Sequence, residues 1–199
     1  GTAWQWTWFV PHDVDGLVEL MGGRDAFIGK LDSLFTADSK LEGESTSVDI
    51  SGLIGQYAHG NEPSHHIAHL YNYVGQPYKT QALVDSVLHT LYFNNPDGLS
   101  GNEDCGQMSA WYILNAMGFY QVCPGKPVYS IGRPLFNEAT VHLKDGKSFK
   151  VIAHNNSRDN KYVRSIVLNG NKLETPFFTH QDIVDGGTLE LTMGSEPLK

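Results

Sequence analysis

The spacing of apolar residues changes near Pro124, and this change limits the folds that the chain can adopt. Before Pro124, apolar residues recur every three or four positions, as they do along the buried face of a helix. After it, short apolar runs alternate with the turn signals Asp145-Gly146 and Asn169-Gly170-Asn171, which favour β-hairpins. We therefore predict an α+β fold, with antiparallel helix pairs in residues 1–123 and an antiparallel sheet or sandwich in residues 124–199.

Local signals divide these two parts further. The aromatic run from Trp4 to Val10 alternates like a strand or an extended pocket wall, and the polar, weakly patterned residues 36–50 predict a surface loop. Asp13 and Ser64 stand where helix N-caps are expected. Predicted helices span residues 14–21, 25–35, 64–74, 77–92 and 108–117, and predicted strands span residues 141–143, 149–153, 163–168 and 188–193.

The charge of the chain argues against two classes of partner. The 199 residues carry a formal net charge of −8, with a sequence pI near 5.5. Such a chain lacks the basic surface that binds nucleic acid or acidic membranes, and no apolar run approaches the length that spans a bilayer. We therefore expect neither nucleic acid nor membrane as a partner. The abrupt start at Gly1 predicts that further chain lies upstream.

Two cysteines, Cys105 and Cys123, flank the last predicted helix. A disulfide between them would add roughly 3 kcal/mol of stability through chain entropy. Two buried thiols in a reducing compartment explain the same pair equally well, so the cysteines leave the compartment open.

Two similar segments carry most of the polar chemistry. The first block is Gly60-Asn61-Glu62-Pro63-Ser64-His65-His66, and the second block is Gly101-Asn102-Glu103-Asp104-Cys105-Gly106-Gln107. Each begins Gly-Asn-Glu and runs into a predicted helix. Because glycine permits backbone geometry that other residues avoid, the acids and amides of both loops can face one space. The two blocks thus predict helix pairs around a shared polar pocket.

Adjacent acids in the second block are candidates for catalysis. On a loop, Glu103 and Asp104 point in different directions, so one can activate water while the other binds substrate hydroxyls or a cation. The alternative is structural, because acids favour helix starts and Asp104 lies four residues before Met108. Spacing alone gives the two interpretations similar weight.

Candidate metal ligands occur in the first block. Glu62 and Asn61 offer the carboxylate and amide oxygens that suit calcium. His65 and His69 are four residues apart, which is compatible with zinc on a helix, but a third ligand and the zincin order are missing. Histidines in this arrangement more often satisfy hydrogen bonds or line a polar pocket.

Aromatic residues accompany both groups of acids. Trp4, Trp6, Trp8, Trp111 and Tyr112 can belong to the core or can stack on sugar rings. Phosphate-binding glycine loops and serine nucleophile elbows are absent from the sequence. These features favour a carboxylate-lined pocket for a polyol, without naming a reaction.

Three long motifs, in order, resemble glycoside hydrolase family 92. They are the run from Gly1 to Asp13, the first block, and the second block continued to Tyr112; residues 163–170 also fit the end of the family. The resemblance implies a calcium-dependent, inverting exo-α-mannosidase that removes terminal α-mannosides, α-1,2-linked ones in particular, from N-glycans or mannans. It also implies that residues 1–123 are the last part of an (α/α)6 barrel and residues 124–199 a C-terminal β domain. Complete members are several times longer than this chain.

The resemblance also implies roles for individual residues. Asp104 matches the family's general base, whereas its general acid is a glutamate that would directly precede Gly1. Asn102 stands where many members have aspartate. Glu62 matches a glutamate of the sugar and calcium pocket. The remaining implied assignments are calcium ligation by Asn61 and Gln5, and substrate binding by His65, Glu103, Asn102 and Trp4.

Further expectations follow from the resemblance. We expect the 199 residues alone to be inactive, because the acid is absent and the barrel is open. An open barrel exposes an apolar face, so we expect it to be covered by the N-terminal part of the same enzyme or by self-association. The family also implies a periplasmic or secreted location in a Gram-negative bacterium. The alternatives are a noncatalytic carbohydrate-binding module and a helical scaffold that binds protein partners.

Overall fold

Helices and sheets are mixed in a computed structural model of the chain, which describes residues 1–41 and 50–198. In these residues, helices α1 to α7 span Ala3–Trp6, Val14–Leu20, Arg24–Thr36, Leu70–Tyr73, Pro77–Thr90, Gln107–Met117 and His180–Val184. Strands β1 to β10 span Leu53–Ile54, Tyr57–Ala58, Phe119–Tyr120, Val128–Ile131, Glu138–His142, Ser148–His154, Tyr162–Leu168, Asn171–Lys172, Phe177–Thr179 and Gly187–Gly194. The predicted α+β class is therefore confirmed.

Four of the five predicted helices are confirmed, with bounds that differ by one or two residues. Helix α2 begins after Asp13, whose carboxylate accepts a 3.0 Å hydrogen bond from Gly16 N. Helix α5 begins at Pro77, where the missing N–H costs no intrahelical bond. Helix α6 ends at Gly118, which adopts the left-handed conformation (φ 105°). Local sequence signals thus position these helix ends.

The predicted strand from Trp4 to Val10 is wrong. Helix α1 begins there instead, because Thr2 caps its first turn and Gln5 Oε1 accepts a hydrogen bond from the Thr2 backbone N–H. Trp8 becomes fully buried while Trp6 stays half exposed. Capping chemistry therefore overrides the alternation of aromatic residues.

The predicted helix from Ser64 to Val74 is also wrong in its first half. Two short 3-10 turns, Glu62–Ser64 and Ile67–His69, precede α4, and Ser64 lies inside the first turn rather than at an N-cap. Side chains of this segment bond to distant backbone, as His66 Nε2 does to Trp8 O at 2.8 Å. Such tertiary bonds replace the regular helical ladder. Most of the predicted loop at residues 36–50 lies outside the described residues.

The larger sheet has the strand order β5-β6-β10-β7-β8. All four predicted strands are confirmed, and both predicted hairpins occur, joining β5 to β6 and β7 to β8. The expectation of purely antiparallel pairing is wrong in one place, because β10 runs parallel to β6. The chain between these strands forms β7, β8, β9 and α7 before it returns, which is the long crossover that parallel pairing requires.

A smaller sheet, ordered β3-β4-β9, joins the helices to the larger sheet. One apolar cluster is centred on Trp8, Phe27, Leu31 and Trp111, and a second lies under the larger sheet around Phe149 and Leu189. Each fully buried side chain of this size contributes roughly 1.5–3 kcal/mol by leaving water. No helix within residues 1–41 and 50–198 is long and apolar enough to cross a membrane.

Candidate active site

The two blocks lie directly against each other. Gly101 has a φ of +78°, and a Cβ atom placed on it would lie 3.2 Å from Gly60 O and 3.1 Å from Ser51 Oγ. Only glycine permits so close an approach of two loops. The two loops therefore meet, while the polar pocket expected between them stays a prediction.

His65 bridges the two blocks. Its Nδ1 accepts a 3.1 Å hydrogen bond from the side-chain amide of Gln107, and its Nε2 lies 2.9 Å from His59 O. Its backbone oxygen accepts a 3.0 Å bond from Trp111 Nε1. Burial lowers the pKa of His65 to about 4, so the ring is neutral near pH 7. Both ring nitrogens are engaged by protein groups, which makes His65 a support between the loops.

Strained backbone precedes helix α6. Three consecutive residues have positive φ, namely Asp104 (51°), Cys105 (55°) and Gly106 (91°). For residues other than glycine this conformation costs about 1 kcal/mol each. Such strain persists only where surrounding contacts maintain it, and it is concentrated at functional sites.

Glu103 makes the contacts that cap α6. Its carboxylate accepts hydrogen bonds from Ser109 N at 3.1 Å and from Ser109 Oγ at 3.0 Å. It thereby satisfies one of the N–H groups left without a partner at a helix start. The helix-capping role that the sequence suggested for Asp104 therefore belongs to the neighbouring Glu103.

The side chain of Asp104 is exposed to solvent. Its backbone oxygen accepts the hydrogen bond of Gln107 N at 3.1 Å, which belongs to the turn that begins α6. Within residues 1–41 and 50–198, the structure gives its carboxylate no hydrogen bond or ion pair. Asp104 therefore offers an accessible carboxylate at the junction of the blocks.

The buried side chain of Gln5 stabilises the N-terminal run through hydrogen bonds. Gln5 is buried, and its Oε1 accepts hydrogen bonds from Thr2 N at 2.6 Å and Thr2 Oγ1 at 2.7 Å. Its Nε2 donates to Gln56 O at 2.7 Å. Binding of a metal by Gln5 would require these bonds to break.

Two tryptophans of this run differ in surroundings. The ammonium group of Lys30 lies 4.1 Å from the centre of the Trp4 ring, a cation–π contact that occupies one ring face. Trp6 is 49% exposed and packs edge to face on Phe9, with ring centres 5.7 Å apart. Of the two, Trp6 leaves more aromatic surface free for a sugar.

Other buried histidines are satisfied by protein partners. His69 lies between Ser130 Oγ, 3.0 Å from Nδ1, and Asn115 Oδ1, 2.9 Å from Nε2. His59 lies between the hydroxyls of Tyr57 and Tyr92, and burial lowers its pKa. The zinc alternative for His65 and His69 therefore gains no support.

Calcium does not fit the described residues by themselves. Among residues 1–41 and 50–198, no group of three or more His, Cys, Asp or Glu side chains is arranged to hold a metal ion. Gln5 is engaged by Thr2 and Gln56, and the other residues of the predicted set are Glu62 and Asn61. A calcium ion takes six to eight oxygen ligands, so these two residues are at most part of a site.

Both cysteines are free thiols in the structure, Cys105 exposed and Cys123 half-buried. The structure therefore has the unbridged pair, but the expectation that both thiols are buried is wrong. Cys105 lies next to Asp104, on the same strained stretch of backbone.

Sequence reasoning missed the supporting roles of Gln107 and Ser109. Gln107 bonds both His65 and the Tyr120 hydroxyl, the latter at 3.1 Å, and Ser109 holds Glu103. One signal was present, because Gln107 is the last residue of the second block and Ser109 lies two residues after it. No local pattern, however, pairs Gln107 with residues 42 positions before it and 13 after it.

Comparison with known proteins places these features in a family. Residues 1–195 match the model of the glycosyl hydrolase family 92 catalytic domain. An uncharacterized secreted glycosidase from Arthroderma benhamiae is 32% identical over 196 residues, which are 97% of this chain and 23% of that protein.

Solved structures agree in fold. A family GH92 α-mannosidase from Bacteroides thetaiotaomicron is 43% identical with a TM-score of 0.90, over 100% of this chain and 26% of its own. Its complex with mannoimidazole gives a TM-score of 0.92. A family GH92 inverting mannosidase from the same species is 45% identical with a TM-score of 0.85, over 99% of this chain and 28% of its own. The chain spans about a quarter of the length of these relatives. From the match over nearly its whole length, the chain belongs to glycosyl hydrolase family 92.

Proposed function

We propose that the chain is part of an inverting, exo-acting α-mannosidase in which Asp104 is the general base. The observation that carries the proposal is the exposed Asp104 carboxylate, held where the two blocks meet. The inverting mannosidase among the relatives and the mannoimidazole complex of another support the reaction class and the sugar. Terminal α-1,2-linked mannose of N-glycans or mannans is the proposed substrate.

Inversion requires two carboxyl groups on opposite faces of the scissile bond, roughly 6.5–9.5 Å apart, so that water fits between them. In this proposal Asp104 takes a proton from that water as it attacks the anomeric carbon. The acid that protonates the leaving oxygen is the glutamate expected directly before Gly1. An exposed carboxylate with no competing ion pair suits the base, because it can accept the proton without first losing a partner.

The other residues are assigned either to binding the sugar or to supporting the loops. Glu62 and Asn102 are proposed to bind sugar hydroxyls, and the half-exposed ring of Trp6 takes the stacking role that the sequence suggested for Trp4. His65 and Glu103 are engaged by protein groups, so we assign them to support of the loops rather than to contact with mannose. Calcium, which the family implies, would need ligands beyond Glu62 and Asn61, and no step is assigned to it.

The remaining part of the enzyme is the proposed partner. A groove of about 620 Å³ runs along α6 and is lined by Tyr112, Ile113 and Phe93, of which the last two are more than half exposed. Apolar surface of this kind is normally covered. We propose that the rest of an (α/α)6 barrel covers it, that the 199 residues alone are inactive, and that the enzyme is secreted or periplasmic, as the secreted relative suggests.

The test is Asp104→Asn in the enzyme extended upstream of Gly1, assayed on α-1,2-linked mannobiose. Loss of a general base lowers kcat by about 10²–10⁴-fold, whereas mannoimidazole binding should persist. Asp145→Asn is the matched control, because Asp145 also has positive φ (60°) and lies in an exposed turn. NMR of the first product should show β-mannose. An unchanged rate for Asp104→Asn would reject the base, and sugar binding without hydrolysis by the parent enzyme would favour a carbohydrate-binding module.

A further inference from the structure

The proposed base, Asp104, lies on backbone whose conformation is unfavourable without supporting contacts. Asp104 and Cys105 both have left-handed φ values, and Gly106 follows with the same sign. Residues other than glycine return readily to negative φ unless contacts outside the loop maintain the left-handed conformation. The direction of the Asp104 carboxylate therefore depends on the residues that fix the loop ends.

Glu103 fixes the loop to the helix behind it. Both carboxylate oxygens are used, one by the backbone N–H of Ser109 and the other by its hydroxyl. Ser109 is the third residue of the 11-residue helix α6, so the bonds tie the loop to a rigid element. Each carboxylate oxygen thus already has a structural partner on α6.

Gln107 fixes the loop to the first block. Its amide nitrogen lies 3.1 Å from His65 Nδ1 and 3.1 Å from the Tyr120 hydroxyl, so both of its protons have acceptors. His65 is itself held by its bond to His59 O. The second tie thus runs from the loop into the buried core.

We propose that Glu103 and Gln107 are positioning residues that aim the Asp104 carboxylate at the attacking water. Glu103 acts through Ser109 and Gln107 acts through His65 and Tyr120, and neither touches the substrate. The inference rests on the proposed role of Asp104, and it replaces the substrate-binding role that the sequence suggested for Glu103.

Substitutions at Glu103 show whether its hydrogen bonds or its negative charge matter for the position of Asp104. Glutamine keeps one acceptor oxygen for Ser109 N and offers an amide that can donate to Ser109 Oγ, so Glu103→Gln should retain kcat within about threefold. Glu103→Ala removes both bonds and should lower kcat by about 10–100-fold, with KM changed less than threefold. Ser109→Ala, a milder change, should give an intermediate loss that is not additive with Glu103→Ala. Gln107→Met should resemble Glu103→Ala.

A readout independent of turnover accompanies the kinetics. Amide hydrogen exchange at residues 101–106 of the full enzyme should accelerate at least fivefold in Glu103→Ala and stay near the parent rate in Glu103→Gln. Glu174→Ala is the control, because Glu174 is an exposed glutamate whose ion pair is with the exposed Lys172. Its exchange and kinetics should match those of the parent enzyme.

Each outcome decides between the proposals. If Asp104→Asn keeps its rate, the general base fails, while exchange still tests whether Glu103 holds the loop. If Asp104→Asn is inactive but Glu103→Ala exchanges and turns over like the parent, positioning is overturned. Equal impairment of Glu103→Gln and Glu103→Ala would also overturn it, because the charge rather than the hydrogen bonds would then matter.

Discussion

Gly101 and Gly60 meet so closely that a methyl group on Gly101 would lie 3.2 Å from Gly60 O. The two loops therefore share one surface, and neither can shift without the other. Residues in both blocks depend on this contact for their relative position, among them Glu62 and Asp104.

Gly101→Ala should destabilise the protein by roughly 2–4 kcal/mol. About 1 kcal/mol of this comes from the positive φ of +78°, and the rest from crowding against Gly60 O and Ser51 Oγ. Gly170→Ala is the matched control, because Gly170 has a φ of +80° but nothing within 4 Å of an added Cβ. Urea unfolding of both variants measures the difference. Equal losses would mean that the loops do not touch as described.

Arg133→Met should cost roughly 3–5 kcal/mol of unfolding free energy. Arg133 is buried, and its Nε lies 3.0 Å from Oδ1 of Asp85 on α5. Removing the arginine leaves a buried carboxylate, with His89 and the more exposed Arg158 as its remaining neighbours. The comparison is Lys172→Met, whose ion pair with Glu174 is exposed and should contribute less than about 1 kcal/mol. Similar losses in the two variants would contradict a buried ion pair between α5 and the segment that follows β4.

Acid should destabilise the protein through its buried histidines. Burial lowers the pKa of His65 and His69 to about 4, and it also lowers the pKa of His59 and His66. Unfolded histidine has a pKa near 6.5, so below that pH the unfolded chain binds protons that the folded chain excludes. Stability is therefore complete above about pH 6.5 and falls as pH decreases from 6.5 towards 4.

The slope should approach about 1.4 kcal/mol per pH unit for each such histidine. Urea unfolding between pH 6.5 and pH 5 measures this slope. His69→Gln removes one of these histidines and should reduce the slope by up to about 1.4 kcal/mol per pH unit. A pH-independent midpoint over this range would show that these rings are not buried in their neutral form.

The two thiols should differ in reactivity. Cys105 is exposed and Cys123 is half-buried, so a thiol reagent should label Cys105 within minutes and Cys123 more slowly. Mass spectrometry of peptides from the native protein locates the label, and Cys105→Ser should remove the fast phase. Recovery of a peptide in which the two cysteines are joined would contradict the free thiols.

Sequence predicted the regular elements of the fold well, because their signals are local. Pro77 and Gly118 mark helix ends through their own backbone preferences, and the turn signals at residues 145–146 and 169–171 form hairpins. The 3-10 turns of the first block were missed, because the bond from His66 to Trp8 O joins residues 58 positions apart. The parallel pairing of β10 with β6 was missed for the same reason.

At the candidate site, residue type was predicted better than residue role. In the sequence, the adjacent acids Glu103 and Asp104 are equivalent candidates. The structure distinguishes them, because Glu103 is bonded to Ser109 whereas the Asp104 carboxylate is accessible. Gln5 similarly offers a calcium ligand in sequence but braces Thr2 and Gln56 in the structure. These distinctions depend on which partner each polar atom finds in three dimensions.

Strand β10 lies at the centre of the larger sheet, with β6 on one side and β7 on the other, although every other strand of that sheet precedes it in the chain. During synthesis, β5 with β6 and β7 with β8 can therefore form only as two separate ribbons, each with an unpaired inner edge. Unpaired edges of this kind recruit other chains, so the nascent protein should be most prone to aggregation until residues 187–194 leave the ribosome.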